Sequence, residues 1–152
     1  RFFQWQCERR GLPFNLPSHP FNPLPMLRLT IAAGATPDVV RSIFQGIYGD
    51  GRAPAEPETL EIIGARIGVA NPTEAVQQPA VKEALWDNTN EAIAAGVFGV
   101  PTFVVSGEVF WGDDALPMLN DFLANPGLFE TPEMKRISDM PMGVVRTKKP
   151  PA

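Results

Sequence analysis

Between Gly96 and Pro101 the apolar pattern of this chain changes period. Upstream, apolar residues recur at three- and four-residue spacing, as in helices. Downstream, Thr102-Phe103-Val104-Val105 is β-branched and aromatic, as strands prefer. Ser106-Gly107 is a two-residue turn signal, so Glu108 to Trp111 is expected to return as the second strand of a hairpin. The order of elements is then helix end, brief strand, helical block, long helix, hairpin and helix, an α/β arrangement.

Proline and glycine cut the upstream part into short pieces. Phe2 to Arg10 reads as a helix end stopped by Gly11, and Leu12 to Phe14 as a brief strand. Asn15 to Pro25 contains Pro17, Pro20, Pro23 and Pro25 and reads as a loop, because proline lacks an N–H and disfavours helix in the preceding residue. Leu24, Leu27 and Ile31 share one helical face. Val40, Ile43, Phe44, Ile47 and Tyr48 stripe a helix opened by Thr36-Pro37 and closed by Gly49-Asp50-Gly51. Leu60, Ile63 and Ile67 mark another, from Pro57 to Gly68, and Asn71-Pro72-Thr73 starts a short turn. A longer helix runs from about Pro79 to Gly96. After the hairpin, Leu116, Leu119 and Leu123 mark a last helix. From Asn125 the periodicity fades, and a tail with Lys135, Arg136, Arg146, Lys148 and Lys149 against Asp139 reads as basic and extended or flexible.

Composition bounds the function. The 152 residues suit one domain, and 44% apolar with 20% charged residues is ordinary for a globular chain. A net charge of −4 gives no support for nucleic-acid binding. Cys7 alone cannot form an internal disulfide or a CxxC pair, and with His19 as the one histidine no metal site is expected. This usage fits a cytoplasmic protein. No apolar run is long enough to span a membrane, and no membrane partner is expected. The chain opens on Arg1 as if inside a helix, which suggests residues upstream.

The hairpin carries the chemistry. Pro101 has two readings: a proline at the first strand position, or a cis proline. The cis form costs about 0.5–1 kcal/mol and turns the Val100 backbone outward, where it can pair with an extended, peptide-like ligand. Asp113 and Asp114 read first as a helix cap. A helix start needs one cap, which leaves a second carboxylate for an ammonium group. Phe110 and Trp111 alternate faces on a strand; core is the default for both, and one of them can wall the acids. Asn88-Thr89-Asn90 reads as a solvated face or a hydrogen-bonding patch. His19 and Asn22 lie on the proline-rich loop, exposed or within reach of a pocket. Cys7 reads as a buried helix thiol rather than a nucleophile. Gly49-Asp50-Gly51 is no phosphate loop, and no Gly-x-Ser-x-Gly elbow is present.

Asn88-Thr89-Asn90-Glu91-Ala92, Gly96-Val97-Phe98-Gly99-Val100-Pro101-Thr102-Phe103 and Phe110-Trp111-Gly112-Asp113-Asp114 resemble the C-terminal half of 2-hydroxychromene-2-carboxylate isomerases. These belong to the DsbA-like, kappa-class glutathione transferase branch of the thioredoxin superfamily. Gly11-Leu12-Pro13-Phe14, Pro20-Phe21-Asn22-Pro23-Leu24-Pro25 and Gly46-Ile47-Tyr48-Gly49-Asp50-Gly51-Arg52 extend the likeness upstream, so that it covers roughly residues 1–124. The resemblance implies a thioredoxin-like fold with an all-helical insertion, its N-terminal strand, helix and second strand lying before residue 1. Residues 1–14 would end the N-terminal thioredoxin half, 15–78 form the insertion, 79–124 the C-terminal half, and 125–152 the tail.

It implies glutathione as cofactor. Pro101 would be the cis proline and Val100 the backbone anchor for the cysteinyl part. Trp111, Gly112, Asp113 and Asp114 would meet the γ-glutamyl end, with a carboxylate facing its ammonium. Asn22 would touch the substrate, a small aromatic carboxylate. Where the family carries arginine after the second acid, this chain has Ala115. The family's catalytic serine precedes residue 1, and none of these 152 residues takes that role. The implied activity is glutathione-dependent cis–trans isomerisation in aromatic degradation, interconverting 2-hydroxychromene-2-carboxylate and trans-o-hydroxybenzylidenepyruvate or a related compound, in a homodimer. The alternatives are a DsbA-type thiol–disulfide oxidoreductase, a glutathione transferase, or a glutathione-binding module without turnover.

Overall fold

The computed structural model describes residues 1–141 and 143. The chain divides into two compact units, residues 1–92 and 93–152.

The first unit is helical. Helix α1 spans Phe2–Arg10 and is stopped by Gly11, whose φ of 64° is the left-handed conformation glycine adopts without strain. Leu12 to Phe14 forms no strand, because a strand needs a ladder partner and no other strand pairs with it. The proline loop ends sooner than expected: α2 spans Leu24–Ala32, with Pro25 in its first turn, where a missing N–H breaks no helical bond. Helix α3 spans Pro37–Phe44, and the Thr36 hydroxyl accepts the Val39 N–H at 3.4 Å. It runs into a π-turn over Gln45–Gly49. Helices α4 (Pro57–Arg66) and α5 (Pro72–Ala75) follow, and α6 (Pro79–Ala94) leads into the second unit.

The core of this unit is Met26, Leu29, Val39, Ile43, Ile47, Leu60, Ile63 and Val76. The face that α2 buries is therefore Met26 and Leu29, while Leu24 and Leu27 are exposed. That helix carries two interleaved apolar stripes of similar strength, and the facing helices select one of them. On α3 the same selection buries Val39 and Ile43 and leaves Val40 and Phe44 outside. Gly64 is required by close packing: a side chain there would run into the Pro72 ring, so α4 and α5 touch backbone to ring. The proline loop is fastened to the π-turn by the Asn15 N–H, which donates to the Tyr48 carbonyl at 2.6 Å. Cys7 is half-buried on α1, a helix with no buried residue.

The second unit is built on the hairpin. Strand β1 (Thr102–Val105) pairs antiparallel with β2 (Glu108–Trp111), with Phe103 opposite Phe110 and Thr102 opposite Trp111. Among the described residues this is the sheet, so each strand has one unpaired edge. A 3₁₀ turn over Asp113–Ala115 leads into α7, Leu116–Ala124. Phe110, Leu119 and Phe122 form the buried core, with Val105, Leu116, Leu128 and Phe129 packed against it. The extended tail expected from Asn125 is corrected over its first part: a 3₁₀ turn at Leu128–Glu130 and helix α8 at Pro132–Ser138 replace it. The Thr131 hydroxyl caps α8 by accepting the Met134 N–H at 3.3 Å, and Phe129 stacks on Phe122, so a cap and one ring suffice without a periodic stripe. Arg146, Lys148 and Lys149 lie outside the described residues.

Candidate functional site

The site candidates Val100, Pro101, Trp111, Gly112, Asp113 and Asp114 all lie in the second unit, and the hairpin brings them together. The Val100–Pro101 peptide bond is cis. Val100 is 86% exposed, and among the described residues its N–H and C=O make no backbone hydrogen bond. Its flanks are pinned. The Thr102 hydroxyl donates to the Gly99 carbonyl at 2.6 Å, and the Gly112 N–H donates to the Pro101 carbonyl at 2.9 Å. The second bond continues the hairpin ladder by one step and sets Gly112 beside Pro101.

Strand alternation decides between the two aromatics. Phe110 is 1% exposed and belongs to the core, whereas Trp111 is 52% exposed. Core as the default is thus corrected for Trp111: its neighbour already fills the space against α7. The Trp111 indole lies over Gly99, where a Cβ would come within 2.5 Å of Nε1. It also meets the Phe98 ring, with centroids 5.2 Å apart and planes tilted by 52°.

Gly112 adopts φ 95° and ψ 162°, a region essentially confined to glycine, and the Asp114 carboxylate sits where its side chain would be. Asp113 and Asp114 are exposed. Both acids lie in the 3₁₀ turn that leads into α7, whose own N-cap position is Ala115. Pro117 stands in the first turn of α7, where proline is favoured. The edge thus offers open backbone groups at Val100, with Trp111 and the carboxylates that flank Gly112 following on the neighbouring strand. That set suits a ligand with a peptide-like middle and a cationic end.

Asn22 stands in the first unit. Its side-chain oxygen accepts the Leu24 N–H at 3.0 Å, a turn that leads into α2. His19 is exposed, lies edge-on to Phe21 at 4.8 Å, and precedes a second cis bond, His19–Pro20. Asn88, Thr89 and Asn90 are exposed on α6, and the Thr89 hydroxyl bonds back to the Leu85 carbonyl, so these residues form a solvated face.

Two contributors to the geometry were not singled out from the sequence: the Thr102 hydroxyl and Phe98. The signal for Phe98 is there. An aromatic residue two positions after Gly96 and directly before Gly99 belongs to no strand or helix that would bury it.

A family model described as a DSBA-like thioredoxin domain matches residues 4–124. A 2-hydroxychromene-2-carboxylate isomerase from Pseudomonas sp. (strain C18) is 30% identical over 92 residues, covering 59% of this chain and 43% of the relative. One from Pseudomonas putida is 30% identical over 82 residues, covering 53% of this chain and 40% of that protein. The matched segments thus span less than half the length of these relatives. A solved 2-hydroxychromene-2-carboxylate isomerase superposes with a TM-score of 0.67 at 24% identity, over 81% of this chain and 63% of that one. No helix among the described residues is long and apolar enough to cross a membrane.

Proposed function

The chain belongs to the DsbA-like thioredoxin domain family, and on that premise we propose that it binds glutathione for the cis–trans isomerisation of a small aromatic carboxylate. 2-Hydroxychromene-2-carboxylate or a related compound is the substrate. Bound glutathione supplies a thiolate, which can add to a conjugated double bond and leave it after rotation.

The chain's own residues hold the cofactor. The Val100 N–H and C=O pair with the cysteinyl backbone as an added strand would. Trp111 walls the γ-glutamyl arm, and Gly112, whose missing side chain leaves room for the Asp114 carboxylate, meets the same arm. Asp113 and Asp114 hold the α-ammonium, a charge-assisted contact. None of the described residues is given the role of activating the thiol. The observation that carries this reading is the open Val100 backbone, pinned between two hydrogen bonds and followed on the neighbouring strand by Trp111 and the acids.

The test is a calorimetric titration with glutathione, followed by an ultraviolet assay of 2-hydroxychromene-2-carboxylate with and without it. Binding should be saturable and should weaken when Asp113 and Asp114 are both changed to asparagine. Absence of heat and of a thermal shift would remove the cofactor reading. Turnover at the same rate without glutathione would remove the mechanism.

A further inference from the structure

Phe98 is exposed in an ordered place. It lies on the loop between α6 and β1, and 74% of its surface faces solvent. Most exposed aromatics can swing away, but this one packs against a second ring, and the backbone after it is pinned. Downstream, the Thr102 hydroxyl fixes the Gly99 carbonyl at 2.6 Å. Across the hairpin, the Trp111 indole lies over Gly99 and against the Phe98 ring at 5.2 Å. The contact covers part of the ring and leaves most of it open.

Two positions on stands Val100, 86% exposed, the anchor proposed above for the cysteinyl part of glutathione. An apolar ring fixed beside the place where a thiol is held suits a flat, conjugated partner. Offset or tilted stacking is the favoured geometry between such rings.

We propose that Phe98 is the stacking shelf for the aromatic ring of the substrate. Trp111 serves as the shared wall between shelf and glutathione. This rests on the glutathione reading of the Val100–Asp114 edge. Phe98 is a specificity-determining residue here and takes no part in moving protons or electrons.

The experiment uses trans-cinnamate as probe, titrated calorimetrically into the glutathione-saturated protein, with 3-cyclohexylpropanoate as the non-aromatic comparison. Phe98→Ala should weaken cinnamate about three- to tenfold, in line with a lost aromatic contact. Phe98→Tyr, which keeps the ring, should stay within about twofold of the parent. Glutathione affinity, measured separately on each variant, should be unchanged, and cyclohexylpropanoate should bind more weakly than cinnamate to the parent alone. Unchanged cinnamate affinity in Phe98→Ala, with glutathione binding intact, overturns the shelf and leaves the cofactor reading standing. A parent that takes glutathione but no cinnamate also overturns it. A parent that takes no glutathione removes the cofactor reading, and the shelf falls with it.

Discussion

The two units build their interiors from different material. In the first, aliphatic side chains from α2, α3, α4 and the π-turn interlock, with Leu29 and Ile63 fully buried. In the second, the described core is a knot of rings: Phe110, Phe122 and Phe129 have centroids 5.2 to 6.1 Å apart. The aliphatic core lies several residues from any exposed functional candidate on its own helices. The aromatic core lies one residue from the site, because Phe110 points inward and Trp111 outward on the same strand. Rigidity at the candidate edge is therefore borrowed from the rings behind it. That is how a hairpin of two short strands can hold Val100 and Gly112 in place.

The comparison can be broken with a pair of truncations. Phe110→Ala removes the ring that α7 and Phe129 pack on and should cost about 3–5 kcal/mol. Because Trp111 and Gly112 follow it directly, the glutathione response should disappear along with the stability. Leu29→Ala should cost about 2–5 kcal/mol, the range set by how far the cavity collapses. Chemical unfolding followed by circular dichroism measures both. If Phe110→Ala costs less than Leu29→Ala and leaves glutathione binding intact, the aromatic core is not what holds the edge.

A smaller change sharpens the point within the edge. Gly112→Ala places a side chain at φ 95°, ψ 162°, on top of the Asp114 carboxylate. The strain is about 1–3 kcal/mol, and relief requires moving Gly112 or Asp114. A lowered thermal midpoint together with weaker glutathione binding is expected. A lowered midpoint with unchanged binding would separate Gly112 from the site.

Much of this was legible in the chain. The hairpin declared itself through β-branched residues and Ser106-Gly107, and β1 and β2 keep the expected bounds. Thr36-Pro37 marked the start of α3, and the cis reading of Val100–Pro101 holds. What failed did so for identifiable reasons. The buried face of α2 was unreadable because two apolar stripes compete on one helix, and only the packing partner chooses. Leu12–Phe14 had strand-like composition and no neighbour to pair with. Residue type alone leaves open which of Phe110 and Trp111 is core, and the fold decides it by burying Phe110 and exposing Trp111.

The smallest expected effect lies in the first unit, where an ion-paired carboxylate adds to the apolar packing between the π-turn and α4. Asp50 follows the turn and accepts Arg66 at 2.8 Å and Gln45 at 3.2 Å, with Arg52 at 4.0 Å. The Arg66 hydrogen bond, then that of Gln45, holds the Asp50 carboxyl below its ordinary value of 3.8. A depressed folded-state value means that the unfolded chain takes up the proton first as pH falls. The stabilisation is therefore complete above the ordinary value and is lost as pH falls through the lowered one. Asp50→Asn should lower the thermal midpoint slightly at about pH 7, and the gap to the parent should close below about pH 4. The effect is modest because exposed ion pairs are screened by water and salt. A gap of constant size from neutral to acid pH would show that the charge of Asp50 contributes nothing and that its hydrogen bonds alone fasten the turn.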